Sequence, residues 1–96
     1  MKSILTNKRI LITGGTGSIG ESLVKRAITD KAKSIKIFSN DENGLYELES
    51  LLGKQKNLDF IIGDIRNENT VKTITKKTDI IFHAAALKHV DRCELY

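Results

Sequence analysis

Residues 9 to 27, RILITGGTGSIGESLVKRA, place an apolar run, four glycines and a helical pattern side by side, an order of residue types suited to holding phosphate. Gly15-x-Gly17-x-x-Gly20 follows a strand-like run and opens a helix, the context in which this spacing carries meaning. Gly14 and Gly15 permit backbone angles closed to other residues, Gly17 lets a pyrophosphate reach the main chain without meeting a Cβ, and Gly20 lets the helix pack close to the strand. The free N–H groups and positive dipole end of a helix starting at Ser18 then face the phosphates, with the hydroxyls of Thr16 and Ser18 as further donors. Glu21 follows Gly20 where a mononucleotide P-loop needs lysine, so the expected ligand is a dinucleotide.

The end of the second strand decides which dinucleotide, because an acid there accepts from the ribose 2′-hydroxyl of NAD and repels the 2′-phosphate of NADP. Here the strand ends Phe38-Ser39-Asn40-Asp41. Ser39 and Asn40 can bond either group, Asp41 stands one or two positions late for the selecting acid, and no arginine is present to pair a phosphate. Both NADP and NAD stay open on these residues.

The elements that must position these groups alternate along the chain. Arg9 to Thr13 reads as a buried strand, and Ile19, Leu23, Val24, Ala27 and Ile28 give Ser18 to about Thr29 a helical apolar stripe. Ser34 to Phe38 is a second strand, followed by a helix from Asp41 or Glu42 to Leu52, carrying Leu45, Leu48, Leu51 and Leu52, with Gly53 at its end. Leu58 to Ile62 is a third strand, about Asn67 to Lys77 a third helix with Val71 and Ile74 inward, and Asp79 to His83 a fourth strand. Four β/α units in this order predict an α/β fold, a Rossmann-type doubly wound parallel sheet truncated after about four units. The last residues, LKHVDRCELY, read as a helix without a cap, so residues 1–96 are expected to be the N-terminal part of a longer design. A half-sheet of this kind has an open edge and an uncovered apolar face, so association into oligomers or with a missing second half is expected.

The chain has 96 residues, enough for one domain, and an apolar fraction of 40% suits a packed core. Its 16 basic and 12 acidic residues leave a charge of +4, but Lys31, Lys33, Lys36, Lys54, Lys56, Lys72, Lys76 and Lys77 are scattered over segments read as solvated helix faces and turns. No aromatic residues interleave with them to stack bases, so no nucleic-acid partner is expected. The single cysteine, Cys93, cannot form an internal disulfide and fits a reducing compartment. MKSILTNKR is too polar for a secretory signal, and no apolar run approaches the about 20 residues of a membrane span. A cytoplasmic protein without a membrane partner is expected.

Several stretches together resemble the extended short-chain dehydrogenase/reductase superfamily. Thr13-Gly14-Gly15-Thr16-Gly17-Ser18-Ile19-Gly20 matches its T-G-x-x-G-x-x-G fingerprint, Gly63-Asp64-Ile65-Arg66 its G-D-[VI]-R, and His83-Ala84-Ala85-Ala86 its H-x-A-A. IFSNDENGLYELE and HAAALKHVDRCELY are similar to the polysaccharide-biosynthesis branch, which holds UDP-N-acetylglucosamine 4,6-dehydratases and UDP-sugar 4-epimerases. The resemblance implies that Gly14, Thr16, Gly17, Ser18, Ile19 and Gly20 hold the pyrophosphate of NAD(P), and that Ser39 to about Gly44, with Asn40 and Asp41 among them, surround the adenosine ribose. It implies that Asp64 binds the adenine amino group beside the Ile65 backbone, although an Asp after a strand is also a common helix N-cap. It further implies that Ala84, Ala85 and Ala86 leave room for the nicotinamide ribose and that Lys88 contacts cofactor or substrate. Asn40 departs from the branch, where arginine usually clasps the 2′-phosphate.

The superfamily's Tyr-x-x-x-Lys proton-moving pair is absent: Tyr46 is followed four positions later by Ser50, and Tyr96 is the last residue. His83 and His89 have no carboxylate or nucleophile placed to partner them and are read as structural. No catalytic residue and no metal ligand is therefore assigned. The resemblance implies the cofactor-binding start of a nucleotide-sugar dehydratase or epimerase, with a UDP-sugar bound only by a full-length form. A non-catalytic nucleotide-binding chain, or one half of a split protein, is the alternative.

Overall fold

A computed structural model of the chain describes residues 3–14 and 16–84. Strands β1 (Arg9–Thr13), β2 (Ser34–Ser39), β3 (Leu58–Ile62) and β4 (Ile80–His83) alternate with helices α1 (Ser18–Thr29), α2 (Glu42–Leu52) and α3 (Glu68–Thr75). The strands form one parallel sheet in the order β3-β2-β1-β4. This is the Rossmann-type arrangement expected above.

Strand pairing sorts the side chains onto two faces. Ile10, Ile35 and Leu58 align across β1, β2 and β3, as do Ile12, Ile37 and Phe60, and both rows lie under α1 and α2. Val24 and Ala27 of α1 and Leu45 and Leu48 of α2 complete that core. The alternate positions, Leu11, Phe38 and Ile61, face the other way and meet Ile74 of α3. The split follows from chain direction. β1 to β3 step outward in one direction, and the β3-to-β4 crossover returns past β2 and β1, so a right-handed connection places α3 on the opposite face. Phe38, Ile10, Leu11, Ile12, Ile35, Ile37 and Val24 are fully buried. Each contributes about 1.5–3 kcal/mol of apolar transfer free energy, which identifies β1 and β2 as the centre of the structure.

Most expected boundaries agree within a residue, and the exceptions have physical causes. β2 runs on through Ser39, which pairs with Ile62 and is buried. α3 begins after Asn67, whose side chain caps Thr70 N, and stops at Thr75 instead of reaching Lys77. Thr78 Oγ1 donates to Ile74 O at 3.3 Å, and Lys77 takes φ 55°, a left-handed angle that ends the helical path. Val71 is only half-buried, and Leu51 stands 59% exposed on the outer face of α2. Lys36 is also misplaced by the sequence reading. It lies within β2, half-buried on the α3 face, and its ammonium donates to Ile74 O at 3.4 Å. A cation at the carbonyl end of α3 joins the Thr78 hydroxyl on the same acceptor and complements the helix dipole.

The outer strand β4 is fastened to β1 at its start. Arg9 N donates to Asp79 Oδ2 at 2.8 Å, while Arg9 Nε and Nη2 reach Oδ2 and Oδ1 at 3.1 and 3.2 Å. Hydrogen bonds from the Arg9 side chain, then from its backbone, hold the Asp79 carboxyl down at about 2. Its folded-state value lies below the ordinary carboxylate value, so the stabilisation from this pair is complete above about pH 4 and is lost as pH falls toward 2. An NMR carboxyl titration is expected to give Asp79 a midpoint of about 2, and Arg9→Ala to return it toward 3.8. A midpoint near 3.8 in the unaltered protein would contradict the pairing.

Candidate functional site at the strand tips

The four parallel strands deliver the described sequence-predicted residues to one end of the sheet, where the loops after β1, β2 and β3 emerge beside the tip of β4. β1 sits between β2 and β4, and the chain leaves it toward β2 while returning to it from β3, so the tips of β1 and β4 flank the topological switch point.

Gly14 leaves β1 with φ 69°, an angle that costs other residues dearly, and its N–H donates to Phe38 O at 2.7 Å. Gly17 differs. It is the N-cap of α1 with φ −79° and ψ 176°, extended angles that any residue adopts, and it offers no side-chain cap. Asp41 and Asn67, by contrast, cap α2 and α3 through their side chains. Glycine at Gly17 is thus neither a conformational requirement nor the best cap, and it leaves the first N–H groups of α1 uncovered at the strand tips. Ser18 and Ile19 open α1 on its exposed side, whereas Gly20 is buried against the sheet.

The loop after β2 is held against the glycine turn. Ser39 Oγ accepts from Asp41 N at 3.0 Å, Asp41 Oδ1 accepts from Gly44 N at 3.0 Å, and Asp41 Oδ2 accepts from Thr16 Oγ1 at 3.3 Å. Thr16 thereby directs its hydroxyl hydrogen at Asp41. Asn40 is exposed beside this knot. A Cβ on Gly44 would fall 2.7 Å from Thr16 Cβ and closer still to the Asp41 carboxylate. Gly44 is the residue on which the close approach of the two loops depends. The resemblance placed Gly44 at the end of the ribose stretch, but nothing in the sequence showed this contact with Thr16.

The loop after β3 carries Asp64, which faces Arg66. Arg66 Nη2 lies 2.7 Å from Asp64 Oδ2, and Arg66 Nε lies 3.1 Å from both carboxylate oxygens. Hydrogen bonds from the Arg66 side chain, then its backbone, draw the Asp64 carboxyl down to about 2. Asp64 does not cap α3, because Asn67 does, and this removes the alternative left open by the sequence. Ile65 is 49% exposed next to it. The Gly63 position has a packing cause: a Cβ there would meet the buried Phe38 ring at 2.7 Å.

On the β4 side, Ala84 is buried and its N–H donates to Thr13 O at 2.9 Å. His83 Nδ1 lies 2.9 Å from Thr13 Oγ1, which ties the imidazole to β1. Ala85, Ala86, Lys88 and His89 lie outside the described residues. A cavity of about 480 Å³ runs along α1 beside Ser18, Ile19, Ser22, Leu23 and Arg26, on the helix that the glycine turn opens. No helix among the described residues is long and apolar enough to cross a membrane.

The sequence profile of the family described as "Polysaccharide biosynthesis protein" matches residues 10–96. An uncharacterized membrane protein of Methanocaldococcus jannaschii is 46% identical over 88 residues, covering 92% of this chain and 26% of its own length. A UDP-glucose 4-epimerase of Rickettsia bellii is 41% identical over 97 residues, covering 97% of this chain and 28% of its own length. Among solved structures, Pen from Bacillus thuringiensis superposes with a TM-score of 0.82 at 37% identity, covering 95% of this chain and 28% of that one. The enzyme WbmF of Bordetella bronchiseptica, in complex with NAD+, superposes with a TM-score of 0.67 at 20% identity, covering 84% of this chain and 24% of its own, and shares the fold. The chain spans about a quarter of the length of these relatives. It belongs to the polysaccharide biosynthesis protein family.

The joined loops lead to a stability prediction. Gly44→Ala is expected to lower unfolding free energy by about 1–3 kcal/mol, because Thr16 and Asp41 must both move to admit the methyl group. Chemical denaturation measures it, and an unchanged midpoint would show that the two loops are not in contact.

Proposed function

We propose that this member of the polysaccharide biosynthesis family is the NAD(P)-binding portion of a nucleotide-sugar dehydratase or epimerase acting on a UDP-N-acetylglucosamine-type substrate. The observation that carries the reading is Gly17, a helix N-cap that has glycine without needing it for conformation and leaves the N–H groups of α1 open at the switch point. Support comes from relatives. One is a UDP-glucose 4-epimerase, and WbmF, which shares the fold, is known in complexes with NADH, with NAD+, and with NAD+ and UDP.

The residues present fit a dinucleotide in chemical terms. The turn from Gly14 to Gly20 would hold the pyrophosphate by main-chain N–H groups and the α1 dipole, with Ser18 as hydroxyl donor. Ser39, Asn40 and Asp41 would meet the adenosine ribose. Asp64, kept ionised by Arg66, would accept from the adenine amino group, with Ile65 giving apolar cover. Ala84, together with Ala85, Ala86 and Lys88, would flank the nicotinamide half. When bound, the dinucleotide supplies hydride acceptance and return at the sugar C4, which acidifies the neighbouring C5 proton. These 96 residues hold no Tyr-x-x-x-Lys pair, so the reading assigns them cofactor binding and no proton transfer.

The test is a titration with NAD+ and NADP+ against a Gly17→Val variant. The extended angles at Gly17 accept valine but valine is a poor N-cap, so the variant is expected to fold with a loss of about 1 kcal/mol while losing dinucleotide binding at least roughly tenfold. An equal response of both proteins would refute the reading.

A further inference from the structure

We propose that the end of the sheet opposite the strand tips docks on an anionic phospholipid bilayer through a row of lysines, with Ile4 as an apolar anchor. In the sequence these lysines are scattered. A parallel sheet gathers them, because every segment that enters a strand lies at the same end. Arg9 pairs with Ser34 and Ile35 with Leu58, while Lys33 N donates to Lys8 O and Ile35 N to Asn57 O, both at 2.8 Å. Lys8, Lys33 and Lys56 therefore stand side by side, one residue before the paired rows of β1, β2 and β3, on backbones about 4.8 Å apart. Lys31 and Lys54 lie two residues further out on the same segments, and Lys76 and Lys77 precede β4 at the same end. All of them are exposed. The acids of this end do not cancel them. Asp79 is held by Arg9 at 3.1 Å and Asp30 by Arg26 at 2.8 Å, Asp59 is the cross-strand neighbour of Lys36, and Glu49 lies in the last turn of α2. Among the described residues no ion pair reaches the lysines of the row or its flanks.

The chemistry of this end fits a bilayer better than other polyanions. Its arginines, the side chains suited to bidentate recognition of an anion of fixed geometry, are engaged by Asp79 and Asp30. What remains is lysine, a hydrated point charge on a flexible stem, which suits a diffuse negative surface. No aromatic side chain of the described residues stands among the lysines to stack a base: Phe38, Phe60 and Phe82 pack in the cores, and Tyr46 sits midway along α2. Ile4 supplies the second, independent signal. It is 74% exposed, more than any other large apolar side chain of the described residues. Its turn is fastened to the lysine end, where Thr6 Oγ1 donates to Asp30 O at 2.9 Å and Asn7 N to Lys31 O at 3.1 Å. An apolar side chain beside a polybasic row adds burial at the acyl boundary to attraction toward lipid phosphates, a combination that a dissolved polyanion lacks. Docking by this end leaves the strand tips facing away from the membrane.

Sedimentation of the purified protein with sucrose-loaded vesicles tests this, comparing phosphatidylcholine alone with an equal mixture of phosphatidylcholine and phosphatidylglycerol. The protein is expected to bind the mixed vesicles at least about tenfold more tightly at about 0.1 M salt, and to lose that preference at about 1 M, where the Debye length has fallen from about 10 to about 3 Å. Lys8→Gln, Lys33→Gln and Lys56→Gln combined are expected to weaken this binding by about tenfold or more without a change in melting, since all three side chains are exposed. Lys8→Arg, Lys33→Arg and Lys56→Arg combined keep the charge and are expected to keep the binding. Ile4→Ser is expected to weaken vesicle binding by about threefold or more and to leave any binding to duplex DNA unchanged. Equal binding to the two kinds of vesicle, undiminished binding by the glutamine variant, or an Ile4→Ser protein that binds like the parent overturns the proposal. Duplex DNA bound more tightly than the mixed vesicles assigns the lysine row to nucleic acid and overturns it as well.

Discussion

The burial of β1 between two parallel neighbours governs the rest of this structure. Its residues Ile10 to Thr13 are buried, it pairs with β2 on one side and β4 on the other, and its side chains supply both cores. A strand buried on both faces cannot slip by one residue without exchanging Ile10 and Ile12 for Leu11 and Thr13 under the helices. The register of all four strands follows, and with it the level at which their loops emerge. That Gly14 N reaches Phe38 O and Ala84 N reaches Thr13 O are consequences of this register, continuing the ladders past the strand ends into the site.

The site is then built by joining loops that the sequence keeps far apart. Thr16 and Asp41 meet across 25 residues, and Thr13 and His83 across 70. Neither contact is strong, since an exposed hydroxyl-to-carboxylate bond contributes on the order of 1 kcal/mol. Their value is positional. With Gly44 admitting Thr16 and the Asp41 cap fixing the start of α2, the edge of the proposed ribose seat is shaped by two loops anchored on the most buried strands.

This explains which parts of the molecule were legible in the sequence. The strand runs RILIT, SIKIF, LDFII and DIIFH announced themselves by short β-branched apolar stretches, most complete in β1, the strand buried along most of its length, and their order gave the topology. The glycine turn was legible for the same reason, that backbone constraints act locally. Pairings were not. Nothing local says that Arg66 will turn back onto Asp64, that Asn67 instead of Asp64 will cap α3, or that Lys36 will leave solvent to meet Ile74 O. Lys36 was misread because charge was taken as a mark of exposure, whereas a long stem lets an ammonium serve a helix end from a half-buried strand position. Gly63 was legible as a motif residue, but its cause, the Phe38 ring, is a tertiary contact.

The two acids at the strand tips show how similar residues acquire different work from their surroundings. Asp64 is bound by a guanidinium, which keeps it anionic while spending much of its accepting capacity on Arg66. Asp41 is bound by an N–H and a hydroxyl, donors without net charge, so its negative field is left for whatever approaches the glycine turn. A carboxylate already neutralised by arginine recognises a neutral amine by geometry, with little penalty for a neighbouring phosphate. An unpaired one discriminates by charge.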